Sequence, residues 1–324
     1  MRRAFQHFSG VVLIVALSLL GACGPRWIDQ GPATTAPSLS EDRFVATDGF
    51  SLAIARWSPA GEARGTILAL HSFGDFRLAF ERVGPILAAA GFQVIAPDQR
   101  GFGDSVAHGF WHGGDAMVRD LSDLAQAARA ETPDVPLFVL GESMGGSVAL
   151  AAVDEGRLQV DGLILAAPGV REALFARPLW NAALSSAATV APGASADIEP
   201  NLENLTPVDK ARIGNDPRMI REIRADTYWG LIRLADRAAF VDAQAMPPTL
   251  LLYGQEDGLV RQSSICALLD RLAPDVTARF FAGGIHRLLH QEGLDQPIED
   301  MIRWLDNRLE NAPKKPLRST ASCI

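Results

Sequence analysis

Three residues, Ser143, Asp257 and His286, stand in an order that could activate an alcohol for attack on a carbonyl. A serine hydroxyl is a poor nucleophile until a base takes its proton, and the base needs a third group to orient it. Ser143 lies in Gly141-Glu142-Ser143-Met144-Gly145, after the apolar run Pro136–Leu140 and before the small-residue run Gly146–Leu150. A strand feeding a helix through G-x-S-x-G is a nucleophile elbow, a tight turn that lifts the serine oxygen clear of a sheet. Asp257 follows the apolar run Leu250–Tyr253, which places its carboxylate on a loop at the C-terminal edge of a strand. Glu256 is its nearest rival, and Asp270 and Asp275 are later ones. Of six histidines, His71, His108 and His112 precede Ser143, out of order for this arrangement, and His7 falls in a leader. His286 follows Gly283-Gly284 just past the run Thr277–Phe281; His290 competes with it four residues on.

A tetrahedral intermediate needs two backbone donors for its oxyanion. Met144, the residue after the nucleophile, supplies one. Phe73, in His71-Ser72-Phe73-Gly74 after the run Ile67–Leu70, supplies the other. His71 itself reads as a loop brace.

The elements that must carry these residues alternate. Short apolar runs at Thr66–Leu70, Gln93–Ala96, Leu137–Leu140, Gly162–Ala166 and Thr249–Tyr253 suit strands buried on both faces. Helical patterns fall between them at Arg77–Ala90, Asp115–Ala130, Met144–Asp154 and Val260–Leu272. The alternation predicts an α/β fold with a mostly parallel, doubly wound sheet. Arg43–Ala46 and Ser51–Trp57 around Asp48-Gly49 predict an antiparallel edge hairpin. Pro168 to Pro247 shows no strand-like run and reads as an inserted helical cap at about 170–246.

The chain has 324 residues, 48% of them apolar, and a formal charge of −8. The length allows a sizeable core, and the charge argues against nucleic acid. Arg2 and Arg3 precede the apolar run Val11–Leu20 and then Leu20-Gly21-Ala22-Cys23. The run Val11–Leu20 is too short to span a bilayer with ease but suits a signal-peptide core, so 1–22 reads as a signal peptide. Residues 23–42 read as a tether, with Trp27–Ser40 flexible; 43–310 form the domain, and 311–324 a disordered tail. Three cysteines make no disulfide framework, Cys266 reading as a buried thiol and Cys323 as part of the tail. No CxxC or HExxH pattern suggests a metal, and no cofactor is expected.

These motifs resemble the α/β-hydrolase superfamily, specifically the group of monoacylglycerol lipases, lysophospholipases and serine aminopeptidase-type proteins. The resemblance rests on His71–Gly74, Asp98-Gln99-Arg100-Gly101-Phe102-Gly103-Asp104-Ser105, Gly141–Gly146, Asp257 and His286, and spans roughly Arg43 to Leu309. Ser72 stands where the family has a glycine. The resemblance implies an α/β-hydrolase fold, a Ser143–His286–Asp257 triad and a cap that forms the acyl-binding surface. Trp111, Trp180, Tyr228 and Trp229 are its candidate lining residues. The expected substrate is a small lipidic ester. An aminopeptidase would need a cap carboxylate for the substrate ammonium, with Asp226 and Asp236 as candidates. A non-catalytic ligand-binding envelope lipoprotein is the remaining alternative. Leu20–Cys23 likewise resembles a bacterial lipobox, which implies lipidation at Cys23, a membrane partner through that anchor, and an outer-membrane location facing the periplasm.

Overall fold

Alternation along each central strand decides the architecture. In the computed structural model, odd and even residues of each strand enter opposite cores. Leu68, Leu70, Val139, Leu163, Leu165 and Leu251 pack on one face. Ile67, Ala69, Leu140, Ile164, Leu250 and Leu252 pack on the other. Strands buried on both faces need helices on both faces, and a doubly wound α/β sheet follows. The structure describes residues 24–171, 177–241, 246–272, 276–310, 319–320 and 323. The expected signal at 1–22 and the expected lipid site Cys23 lie outside the described residues.

The strands are β1 (Ser38–Leu39), β2 (Arg43–Val45), β3 (Ser51–Trp57), β4 (Gly65–Leu70), β5 (Phe92–Pro97), β6 (Leu137–Glu142), β7 (Gly162–Ala166), β8 (Ser195–Asp197), β9 (Glu222–Arg224), β10 (Thr249–Gly254) and β11 (Val276–Phe281). Nine of them form one sheet in the order β1-β2-β3-β5-β4-β6-β7-β10-β11. Pairing is antiparallel from β1 through β3 to β5, and parallel from there on. The helices are α1 (Val83–Ala89), α2 (Gly114–Glu131), α3 (Met144–Asp154), α4 (Pro178–Val190), α5 (Pro207–Asn215), α6 (Ala225–Ala238), α7 (Gln262–Leu269) and α8 (Gln296–Leu309). The helix expected over Arg77–Ala90 divides into a short 3-10 turn, Arg77–Phe80, and α1.

The insert is helical, through α4, α5 and α6, but it also carries strands. β8 and β9 pair as a three-residue antiparallel ribbon. Ser195-Ala196-Asp197 is exposed throughout and has no apolar run to announce a strand.

Trp27–Ser40 is a fastened segment rather than the expected flexible tether. The Trp27 indole donates to the Asp226 carbonyl at 3.0 Å, and Arg26 N–H donates to the Asp226 carboxylate at 3.1 Å. Ile28 N–H reaches Trp111 O at 2.9 Å. Specific donors here outweigh a Pro- and Ser-rich composition. The tail is corrected in part. Cys266 is not a free thiol but is joined to Cys323 in a disulfide, with Cα atoms 5.6 Å apart. Thr320 N–H donates to Ala278 O at 2.8 Å on the outer edge of β11.

The Asp98–Ser105 loop is scaffolding. Buried Arg100 is bidentate to Asp120, at 2.6 and 2.7 Å, and to Asp48, at 2.8 Å twice. This ties the edge hairpin to α2 beneath the site.

Candidate active site

The elbow forms because its glycines let backbones touch. A Cβ on Gly145 would meet Leu70 O at 2.2 Å, and one on Gly141 would meet Gly145 C at 2.7 Å. Between them Ser143 is held at φ +49° and ψ −112°, a strained conformation for a residue with a side chain. Its carbonyl accepts from Gly169 N–H at 2.8 Å and Ser147 N–H at 3.1 Å, while its N–H donates to Ala166 O at 3.0 Å. Those bonds offset a strain of about 1–3 kcal/mol.

The loops after β10 and β11 are stitched together. A Cβ on Gly254 would meet Gly284 O at 2.3 Å, so only glycine allows the approach. Glu256 N–H donates to Gly284 O at 2.8 Å, and Gln255 N–H to Phe281 O at 3.0 Å. This brings Asp257 beside His286. Asp257 Oδ1 accepts from Leu259 N–H at 2.8 Å and Val260 N–H at 2.9 Å, which fixes the carboxylate. Its Oδ2 lies 2.7 Å from His286 Nδ1, and His286 Nε2 lies 2.9 Å from Ser143 Oγ. Nδ1–H donating to Asp257 leaves the Nε2 lone pair facing the hydroxyl, the tautomer a general base needs.

Ser143, His286, Phe73 and Met144 all line one cavity of about 770 Å³. Met144 is the first residue of α3, so its N–H has no intrahelical acceptor. The Phe73 loop is braced as expected. Gln99 N–H donates to His71 Nε2 at 2.9 Å, so Nδ1 carries the proton it donates to Ser72 O at 2.8 Å. Burial lowers the His71 pKa, consistent with that neutral tautomer. Ser72 lines the cavity alongside Phe73.

The aromatic candidates divide. Trp180 and Tyr228 line the cavity. Trp111 is 1% exposed and packs on Gly230 of α6, so it belongs to the core. Trp229, one residue from Tyr228 on α6, is not among the lining residues either. The apolar lining missed in the sequence comes largely from the cap: Ile198 just past β8, Met219 and Ile220 shortly before β9, Ile223 in β9, and Leu231 and Ile232 on α6. The i, i+3, i+4 spacing of Tyr228, Leu231, Ile232 and Ala235 was the available signal. Asp226 is occupied by Arg224, at 3.0 and 2.8 Å, and Asp236 lies 3.6 Å from Arg171; neither lines the cavity. His290, the rival base, is sealed behind the elbow and does not line the cavity.

Comparison with known proteins places the chain among hydrolases. The family model described as "Serine aminopeptidase, S33" matches residues 61–293. A monoacylglycerol lipase of Mycolicibacterium smegmatis is 25% identical over 83% of this chain and 98% of its own length. A monoglyceride lipase of Mus musculus is 26% identical over 83% of this chain and 91% of its own. In fold, the chain resembles a soluble variant of the Saccharomyces cerevisiae monoglyceride lipase with TM-score 0.70 and 20% identity, covering 85% of this chain and 96% of that one.

These likenesses correct the expected address. The yeast relative in the fold comparison is a soluble variant, and what is shared with the relatives is a hydrolase domain matched over nearly their whole length. Neither a lipid anchor nor an envelope-facing location is part of that likeness. No helix among the described residues is long and apolar enough to cross a membrane. The membrane partner through Cys23 and the periplasm-facing outer-membrane location are therefore withdrawn. With an elbow, a hydrogen-bonded Asp–His–Ser line and a family match spanning both, the chain belongs to this serine aminopeptidase S33 family of α/β-hydrolases and is a serine hydrolase of esterase and lipase type.

Proposed function

We propose that this protein is a carboxylic-ester hydrolase acting on monoacylglycerol- or lysophospholipid-like esters through Ser143, His286 and Asp257. One observation carries the reading: the continuous hydrogen-bonded line from Asp257 through His286 to Ser143 opens on a 770 Å³ cavity with a mostly apolar cap lining. His286 Nε2 takes the Ser143 proton as Oγ attacks the ester carbonyl. Phe73 and Met144 N–H groups face the oxyanion that forms, and Asp257 stabilises the histidinium. His286 then protonates the departing alcohol. Water, deprotonated by the same nitrogen, attacks the acyl-enzyme; the acid leaves and Ser143 regains its proton. The alkyl chain of the substrate lies against Trp180, Ile198, Ile223 and Leu231, where burial favours it by roughly 0.8 kcal/mol per CH₂. The monoacylglycerol and monoglyceride lipases among the relatives support the substrate class.

The aminopeptidase reading loses its support in the cap, since Asp226 and Asp236 both face arginines instead of the cavity. The carboxylates that do line it, Glu199, Glu203 and Glu256, are exposed and share it with Arg171, Arg177 and Arg221. The test is hydrolysis by the purified protein of p-nitrophenyl esters of rising chain length, a monoacylglycerol, a lysophospholipid and aminoacyl-p-nitroanilides, with Ser143→Ala as control. Serine-dependent ester cleavage is expected. Cleavage of anilides alone would reverse the order of the two readings. A protein that neither turns over a substrate nor labels with a fluorophosphonate would be a binding protein.

A further inference from the structure

Behind the elbow lies a second set of the same residue types. His290 is fully buried and donates from both ring nitrogens, Nε2 to Glu142 Oε2 and Nδ1 to Asp209 Oδ1, each at 2.9 Å. Carboxylates accept and do not donate, so an imidazole between two of them carries both protons and a positive charge. Asp209 belongs to α5 of the cap, where Thr206 Oγ1 and Arg212 Nη2 also donate to it, at 2.6 and 2.7 Å. Arg212 reaches on to Asp75, and Arg287 Nη1 donates to Asp75 Oδ2 at 3.0 Å. The main chains join as well: Thr206 N–H donates to His290 O at 3.0 Å, and Glu292 N–H to Asn204 O at 2.8 Å.

The placement of these groups is what matters. Glu142 immediately precedes Ser143, Arg287 immediately follows His286, and Asp75 stands two residues past Phe73. The other end of the network is the cap. Glu142 Oε1 is buried with no hydrogen-bond partner among the described residues, so its charge is answered through His290.

We propose that His290 is a positioning residue: between Glu142 and Asp209 it fixes the cap helix α5, the nucleophile turn and the His286 loop in one arrangement, and losing its charge misaligns Ser143 and His286. The proposal rests on the hydrolase reading above. The charged groups facing His290 are Glu142 on β6 and Asp209 and Arg212 on α5, with Asp75 after β4 and Arg287 on its own loop close behind. Burial alone would lower the His290 pKa, but the two carboxylates outweigh it and raise it to about 9. Burial would raise Glu142, yet the His290 charge and hydrogen bond hold it below the usual range. Arg212 and Arg287 likewise overcome burial at Asp75 and hold it at about 2. The charge on His290 is therefore present below about pH 9 and lost as pH rises through that value.

The test is the pH dependence of kcat for an ester substrate, with the rate of fluorophosphonate labelling of Ser143 followed alongside. The wild-type protein should lose turnover above about pH 9. Glu142→Gln keeps the shape but removes one of the carboxylates that hold the proton. Its loss of turnover should begin at lower pH, with kcat at pH 8.5 reduced about tenfold, KM within about twofold, and labelling slowed in parallel. Asp209→Asn removes the other carboxylate from the cap side and should shift the profile the same way, so a folding defect in either variant leaves the second to decide. Profiles that superimpose on the wild type, with only thermal stability changed, would overturn the proposal. Failure of the wild-type protein itself to label would overturn the hydrolase reading and the proposal with it.

Discussion

Two histidines four residues apart sit in opposite circumstances. His286 and His290 each place Nδ1 against an aspartate, at 2.7 and 2.9 Å. They differ at Nε2: His286 meets a hydroxyl beside an open cavity, whereas His290 meets a second carboxylate in a sealed interior. The His286 side chain is 11% exposed and that of His290 is 0%. A hydroxyl partner leaves a lone pair free to accept a proton. Two carboxylates leave none, and the ring becomes a fixed cation. The residue type is the same; the second neighbour and access to the cavity decide whether it moves protons or holds structure.

This contrast can be broken most sharply at the serine side. Ser143→Ala and His286→Ala should each lower kcat by about 10⁶-fold while leaving the melting temperature nearly unchanged, and His286→Ala destabilising the fold as much as a His290 variant would collapse the distinction. Asp257→Asn should cost about 10⁴-fold in kcat, because an amide there favours the wrong imidazole tautomer. Ester hydrolysis rates beside circular-dichroism melts check both.

At the other histidine the order of effects reverses. His290→Leu strands Glu142 as a buried unpaired charge, while Asp209 keeps Arg212 and Thr206, and should lower stability by about 3–5 kcal/mol in urea unfolding. The sign of its pH dependence follows from the raised pKa. The stabilisation is full below the unfolded value of about 6.5 and is lost as pH climbs through about 9, so the wild-type melting temperature should fall over that interval and that of His290→Leu should not. The smallest effect belongs to the cap wall. Trp180→Ala should raise KM for long-chain esters a few-fold and spare short ones, whereas Trp111→Ala should lower stability and leave the chain-length profile alone.

How much of this is legible in the sequence depends on the range of the contacts. Ser143 and its turn are local, because the glycines, the strand before and the helix after all lie within a dozen residues. Asp257 and His286 are readable from their loops after apolar runs. His290 reads only as a rival base, because the partners that define it are 81 and 148 residues away. The same holds for Cys266, whose partner is 57 residues on, and for Trp111, which no local pattern separates from Trp180. The central strands show as apolar runs, while β8 and β9 have no such run, since β8 is exposed throughout and β9 is only half-buried, so a three-residue ribbon buries too little to leave one.

The sheet ends at β11, whose outer edge would otherwise present unpaired N–H and C=O groups to any passing chain. Ser319 Oγ and Thr320 Oγ1 accept from Ala278 and Phe280 N–H, at 2.9 and 3.1 Å, and the Cys266–Cys323 bond holds that short piece of chain in place. An open edge is a template for sheet-to-sheet aggregation. Ser319 and Thr320 therefore act far from the reaction, as a selvedge: they occupy positions on the β11 edge where another strand would otherwise add.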